Sequence, residues 1–124
     1  MRLLLDTHLL LWSMEGSRKI SRKTLAELER SEVHVSAASL WEVSIKAGLG
    51  KLRVDPDELL DAIDKAGFLV LPIDGSHAAR VYSLGDHHGD PFDRLLVAQA
   101  DVERMCLLTS DQRLLAYGPM VRLA

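Results

Sequence analysis

The sequence predicts an α/β fold: a three-layer α/β/α sandwich around a central, mainly parallel sheet of four to five strands. Short apolar runs alternate with amphipathic segments along the whole chain, the pattern of strands joined by helical crossovers. Runs such as Leu3-Leu4-Leu5 are apolar at successive positions, as expected of strands covered on both faces. A chain of 124 residues, 48% of them hydrophobic, suits a single domain with one core spanning residues 1–124.

The first strand covers Leu3 to Leu5 and stops at Asp6. Thr7 to Met14 is a short helix, broken by Glu15-Gly16-Ser17, and Ser21 caps a second helix running to about Arg30. Val33 to Val35 is the second strand. Ser36 caps a helix that passes through Trp41, Ile45 and Ala47 and ends at Gly48. Asp55-Pro56-Asp57-Glu58 is another capped start, for a helix ending at Gly67. Phe68 to Ile73 is the third strand, Asp74 a cap, Ser76 to Leu84 a helix, and Gly85 to Gly89 a polar loop. Asp90-Pro91 starts the central helix, because Asp accepts from free N–H groups of the first turn and proline at the first helical position forfeits none. Met105 to Thr109 is the fourth strand, ending before Asp111, and Met120 to Leu123 an edge strand.

The single cysteine, Cys106, excludes an internal disulfide and suits a reducing cytoplasm. No apolar run approaches the length of a membrane span, and Asp6 interrupts the nearest candidate, Met1 to Trp12. Net charge is −3, yet setting the five candidate acids apart from the 18 acidic residues leaves fewer acids than the 15 basic ones. Charge therefore does not exclude RNA.

In parallel α/β sheets the ligand crevice lies at the carboxyl ends of the strands. Asp6 and Asp111 both follow strands. Asp93 heads a stripe continued by Leu96, Val97 and Ala100, so its carboxylate lies on the core-facing side of the central helix. Arg94, about 100° around the helix, is a poor partner for it. Glu42, on the helix behind the second strand, is a fourth candidate. Two carboxylates about 5 Å apart repel by about 3 kcal/mol at an effective dielectric near 20, so such a cluster needs neutralising. Only oxygen ligands are offered at metal spacing, which favours Mg²⁺ or Mn²⁺ over zinc. A hard ion in an acidic cleft is suited to phosphodiester cleavage, activating water and stabilising the leaving oxygen.

Four stretches, Leu4-Leu5-Asp6-Thr7, Ser36-Ala37-Ala38-Ser39-Leu40-Trp41-Glu42, Asp90 through Ala100, and Leu108-Thr109-Ser110-Asp111, resemble the PIN domain family, and more narrowly its bacterial VapC-like members. The resemblance spans nearly the whole chain in the right order. It implies a PIN-like α/β/α sandwich and a Mg²⁺- or Mn²⁺-dependent endoribonuclease acting on single-stranded RNA. It also implies a toxin role with a cognate antitoxin, and a homodimer. On this resemblance Asp6, Glu42, Asp93 and Asp111 match the acidic quartet, Thr109 matches a hydroxyl residue before the last acid, and Asp90 is an acid of this subgroup with a possible outer-shell metal role. Ser39 stands where many members have threonine, and the last acidic region offers only Asp111.

Each candidate also has a plainer reading. Asp6, Asp90 and Asp111 are placed to cap the helix or turn that follows. Glu42 has Lys46 four residues on, the favourable order for a solvated salt bridge. His87-His88 reads as a mobile, solvated loop, and Trp12 and Trp41 as core. His8, just after the strand-end acid, is within reach of substrate. Leu9, Leu10, Leu49 and Leu52 are either core or a partner groove. The basic residues Arg18, Lys19, Arg22, Lys23, Lys46, Lys51, Arg53 and Arg94 are a phosphate track or scattered surface charge. Alternative functions are an RNA-processing nuclease without antitoxin, a metal-dependent phosphatase, and a non-catalytic RNA-binding scaffold. The usual aspartyl-phosphate phosphatase needs Asp-x-Asp after its first strand, where this chain has Asp6-Thr7-His8.

Overall fold

A computed structural model describes residues 1–124. One sheet contains β1 (Arg2–Leu5), β2 (Glu32–Ser36), β3 (Leu69–Leu71), β4 (Cys106–Thr109) and β5 (Val121–Leu123), ordered β3-β2-β1-β4-β5. Every neighbouring pair is parallel. The helices are α1 (Thr7–Glu15), α2 (Arg22–Glu29), α3 (Ala37–Gly48), α4 (Pro56–Lys65), α5 (Gly75–Arg80) and α6 (Pro91–Glu103), with 3₁₀ turns at Val81–Ser83 and Gln112–Tyr117.

The apolar run of β1 explains its central place, since Leu3, Leu4 and Leu5 are all 0% exposed. Successive side chains point to opposite faces. Leu3 and Leu5 join Leu9, Ile20, Leu28, Val33 and Leu108 beneath α1 and α2. Leu4 joins Leu107, Leu96, Val97, Ala100 and Leu114 on the other face, beneath α6. A third cluster, including Leu10, Val35, Val43 and Ile63, ties α1 and α3 to α4. Each such aliphatic side chain contributes about 1.5–3 kcal/mol by leaving water. Leu9 and Leu10 are therefore core, while Leu49 is 64% exposed.

Two elements differ from the sequence expectation. β3 covers only Leu69–Leu71, because Pro72 has no N–H for the ladder. The helix expected over Ser76 to Leu84 is the six-residue α5 followed by a 3₁₀ turn. α6, for which the sequence set only the start, ends at Glu103 and closes on Arg104, whose φ of 55° is left-handed. Trp41, expected in the core, is 57% exposed and meets Phe92 edge-on at 5.1 Å between ring centroids. The buried side of α3 is set by Ala38, Ser39, Glu42 and Val43, which turns Trp41 outward.

Parallel pairing puts all carboxyl ends on one edge, and the strand order reverses between β1 and β4, where ligand crevices form. Leu5 lies level with Leu108 and Val35, and the Asp6 N–H donates to the Leu108 carbonyl at 3.0 Å. At the end of β2, the fully buried Gln99 of α6 accepts from the Ser36 hydroxyl at 2.5 Å. Its amide donates to the Pro72 carbonyl at 3.4 Å. Ser36 also caps α3 through the Ala38 N–H, so one short network fixes α3 and α6 relative to the sheet. Gln99→Met keeps the volume and loses both bonds. It should cost about 1–3 kcal/mol, read as a lower urea midpoint with an unchanged slope.

Candidate active site

Asp6 is 3% exposed and held by donors on both oxygens. Oδ1 accepts from the Leu9 N–H at 2.8 Å, which makes Asp6 the cap of α1. Oδ2 accepts from the Thr109 hydroxyl at 2.6 Å and the Ser110 N–H at 2.9 Å. Oδ1 thus makes the expected cap, and Oδ2 ties the carboxylate to the end of β4. Thr109 is itself fully buried and accepts from the Asp111 N–H at 3.0 Å, which fixes the turn out of β4.

Glu42 is 5% exposed. Its Oε1 accepts from the Thr7 hydroxyl at 2.7 Å, next to a 3.0 Å hydrogen bond between Thr7 and Ser39. Its Oε2 pairs with the Lys46 ammonium at 2.6 Å. The expected i,i+4 salt bridge exists, but its acidic half is buried at the site rather than solvated. The Glu42 hydrogen bond is the main reason the Lys46 ammonium is held above its ordinary pKa.

Asp90 caps α6 through Oδ1, which accepts from the Phe92 and Asp93 N–H groups at 2.8 and 3.1 Å. The carboxylate of Asp93 accepts no hydrogen bond at all; the one basic side chain within 4 Å is His88, whose Nε2 lies 3.8 Å from Oδ2. Its pKa is pushed up to about 6, first by burial, then by the charges of Asp90 and Asp6, with Glu42 adding and His88 opposing. Asp93 therefore feels its own helix cap, Asp90, and two acids from distant parts of the chain, Asp6 and Glu42. Asp111 is the opposite case. Its carboxyl is held down at about 2, chiefly by the Arg113 guanidinium, which pairs with Oδ2 at 2.9 Å. Arg94 leaves Asp93 alone and donates to the Gly85 carbonyl and the Tyr117 hydroxyl, each at 3.0 Å.

His88 corrects the expectation of a solvated loop, for its side chain is only 7% exposed. Nδ1 accepts from the Asp90 N–H at 2.9 Å, so the ring proton is on Nε2, aimed at Asp111 Oδ2 at 3.1 Å. In a capping box the residue at the third helical position takes the cap's N–H. His77 does so for Asp74 in α5. In α6 that position is Asp93, and His88 takes the bond instead, which leaves the Asp93 carboxylate unpaired toward the site. The signal available in the sequence was a histidine two residues before the Asp-Pro start.

One ligand atom each from His88, Asp93 and Asp111 lie within 4.8 Å of one another. A histidine thus does stand among the acids. While Nδ1 accepts from Asp90, Nε2 keeps its proton and serves as a donor, so oxygen remains the ligand type on offer. A half-buried carboxylate without donors, pressed by neighbouring acids, fits a hard divalent cation.

A family model described as PIN domain matches residues 3–118. No curated protein sequence matches the chain. Among solved structures, VapBC2 from Rickettsia felis bound to a promoter DNA fragment aligns with a TM-score of 0.72 and 15% identity over 100% of this chain and 98% of that one. A toxin-antitoxin complex from Klebsiella pneumoniae gives 0.69 and 21% over 97% and 95%. DNA-bound VapBC from Salmonella typhimurium gives 0.68 and 17% over 100% and 97%. At these identities the likeness is one of fold.

The two shifted carboxyls act in different pH windows. Asp93 binds its proton more tightly when folded, so the metal-free protein should lose stability as pH rises from about 4 through about 6. The contribution of Asp111 is present above its ordinary pKa and is lost only as pH falls toward about 2. Melting in EDTA should show the first decline, and Asp93→Asn should abolish it and melt above the wild type at neutral pH. A wild-type melting temperature that rises between pH 4 and 6 would contradict this account.

Proposed function

The chain belongs to the PIN domain family, a family of nucleases, and from that premise we propose a Mg²⁺- or Mn²⁺-dependent endoribonuclease that cleaves single-stranded RNA as the toxin of a type II toxin-antitoxin pair. The observation that carries the reading is Asp93: a half-buried acid without a donor, its pKa raised first by that burial and then by Asp90, Asp6 and Glu42. In this reading Asp6, Asp93 and Asp111 hold one or two ions and Glu42 completes the ligand set directly or through water. Asp90 takes an outer position. Bound there, the ion supplies a Lewis acid that activates water and offsets charge on the phosphate and leaving oxygen.

The other residues act by placement. Thr109 and the Ser110 N–H hold the Asp6 carboxylate in one orientation, and Thr7 does the same for Glu42. Lys46 and Arg113 bring positive charge to the rim, where an anionic phosphodiester must approach. The His88 Nε2–H holds Asp111.

The toxin-antitoxin complexes among the similar structures support a cognate antitoxin as partner. An exposed apolar patch lined by Trp41, Ala78, Val81, Pro91, Phe92 and Leu95 supports a homodimer. No helix is long and apolar enough to cross a membrane, and the proposed place of action is the cytoplasm.

With Mn²⁺ the protein should cleave a labelled single-stranded RNA and leave a chromogenic phosphoester intact, and EDTA should stop cleavage. Asp93→Asn should reduce the rate by more than about 100-fold and Thr109→Val by roughly 10–100-fold, the range typical of groups that orient metal ligands. Ester hydrolysis would favour a phosphatase, and RNA binding without cleavage a scaffold. Growth arrest on expression, relieved by a small DNA-binding protein encoded alongside, would establish the toxin role; activity without either would favour an RNA-processing nuclease.

A further inference from the structure

A cleft of about 190 Å³ opens between α1 and the start of α2, lined among others by Leu9, Trp12, Lys19, Thr24 and Ser110. It adjoins the acid cluster, because the backbone N–H groups of Leu9 and Ser110 both donate to Asp6. The half-buried Trp12 ring forms part of its wall. Lys19 Nζ stands 5.5 Å from the ring centroid, and the exposed His8 stacks with the same ring at 5.8 Å and 24°.

Lys19 lines the cleft, Arg18 immediately precedes it in sequence, and Arg22 and Lys23 lie between the lining residues Ser21 and Thr24; all four are exposed and none takes part in an ion pair. Several basic side chains elsewhere are engaged, Lys46 with Glu42, Arg80 with Asp101, Arg113 with Asp111 and Arg122 with Glu27, and those that are not, such as Arg30, Lys51, Arg53 and Arg104, do not fall together in one short stretch. The four unpaired cations clustered between residues 18 and 23 leave a local positive field beside an acidic site. The volume falls below the roughly 300–1,000 Å³ of drug-sized pockets and suits a single planar group.

Resting on the ribonuclease reading above, we propose that this cleft is a nucleotide subsite: one base near the scissile phosphate stacks on Trp12, and Arg18, Lys19, Arg22 and Lys23 follow the adjoining phosphates. Stacking requires an exposed base face, so the subsite takes unpaired rather than duplex RNA. An acidic protein segment would use the same cations but has no need of the tryptophan.

The test is binding of a labelled oligoribonucleotide in EDTA, where no cleavage occurs, compared with a strand of equal length carrying abasic riboses. Trp12→Leu should weaken the base-containing strand by about tenfold and leave the abasic strand unchanged, while Trp12→Phe should bind within a few-fold of wild type. Lys19→Glu and Arg22→Glu should weaken both strands and flatten the salt dependence, the slope falling by about 0.7 for each phosphate no longer neutralised. Because Trp12 also packs on the core, melting is followed in parallel; Lys19 and Arg22 are exposed and decide the matter even if the tryptophan variant unfolds. The proposal is overturned if folded variants bind both strands like wild type, if the abasic strand binds as tightly as the intact one, or if the charge reversals release a polyglutamate peptide but not RNA. Unchanged KM in the charge-reversal variants of an active nuclease would sink the subsite alone. Absence of any nuclease activity would sink the functional reading and leave this binding result standing on its own.

Discussion

Parallel strands deliver every carboxyl end to one edge, and a carboxylate left there must either be met by donors or repel its neighbours. Both outcomes coexist in this protein. Asp6 is fastened by donors from the end of the adjoining strand, chiefly Thr109 and Ser110. Asp93 is left without donors and its pKa is raised first by burial and then by the acids around it. The rest of the site can be understood as the scaffolding that keeps these two carboxylates in range of each other.

That scaffolding is buried and polar, which is an unusual combination in so small a core. Ser36, Ser39, Glu42, Gln99 and Thr109 are all shielded from water, and each has a hydrogen-bond partner. Buried polar groups are costly when unpaired and specific when paired. Here they link β2 and α3 to α6 and β4 to β1, so helix placement and acid placement are the same event.

Asp6, Asp93 and Asp111 were legible in the sequence because an apolar run or stripe points at each. Asp74 was legible as a cap for a similar reason, since it follows a strand and precedes a helix. Glu42 was ambiguous because the two readings were not exclusive: one oxygen faces Thr7 and the other Lys46. Trp41 was misplaced because adjacent apolar positions on a helix cannot both face the sheet, and periodicity alone did not say which would. The role of His88 rests on a bond from the Asp90 backbone N–H, which its spacing before Asp90-Pro91 allows but does not by itself require. β3 was overextended by counting the residues around Pro72 as strand.

The hydrogen bond between Thr109 and Asp6 joins residues 103 positions apart, and this long loop closure has a consequence for incomplete chains. β1 precedes β4 in the chain, so a polypeptide that stops short of Thr109 has the first acid without the strand that orients it. The carboxylate that opens the carboxyl edge is thus fastened by a residue from the far side of the sequence, and any fragment lacking β4 leaves it free to turn.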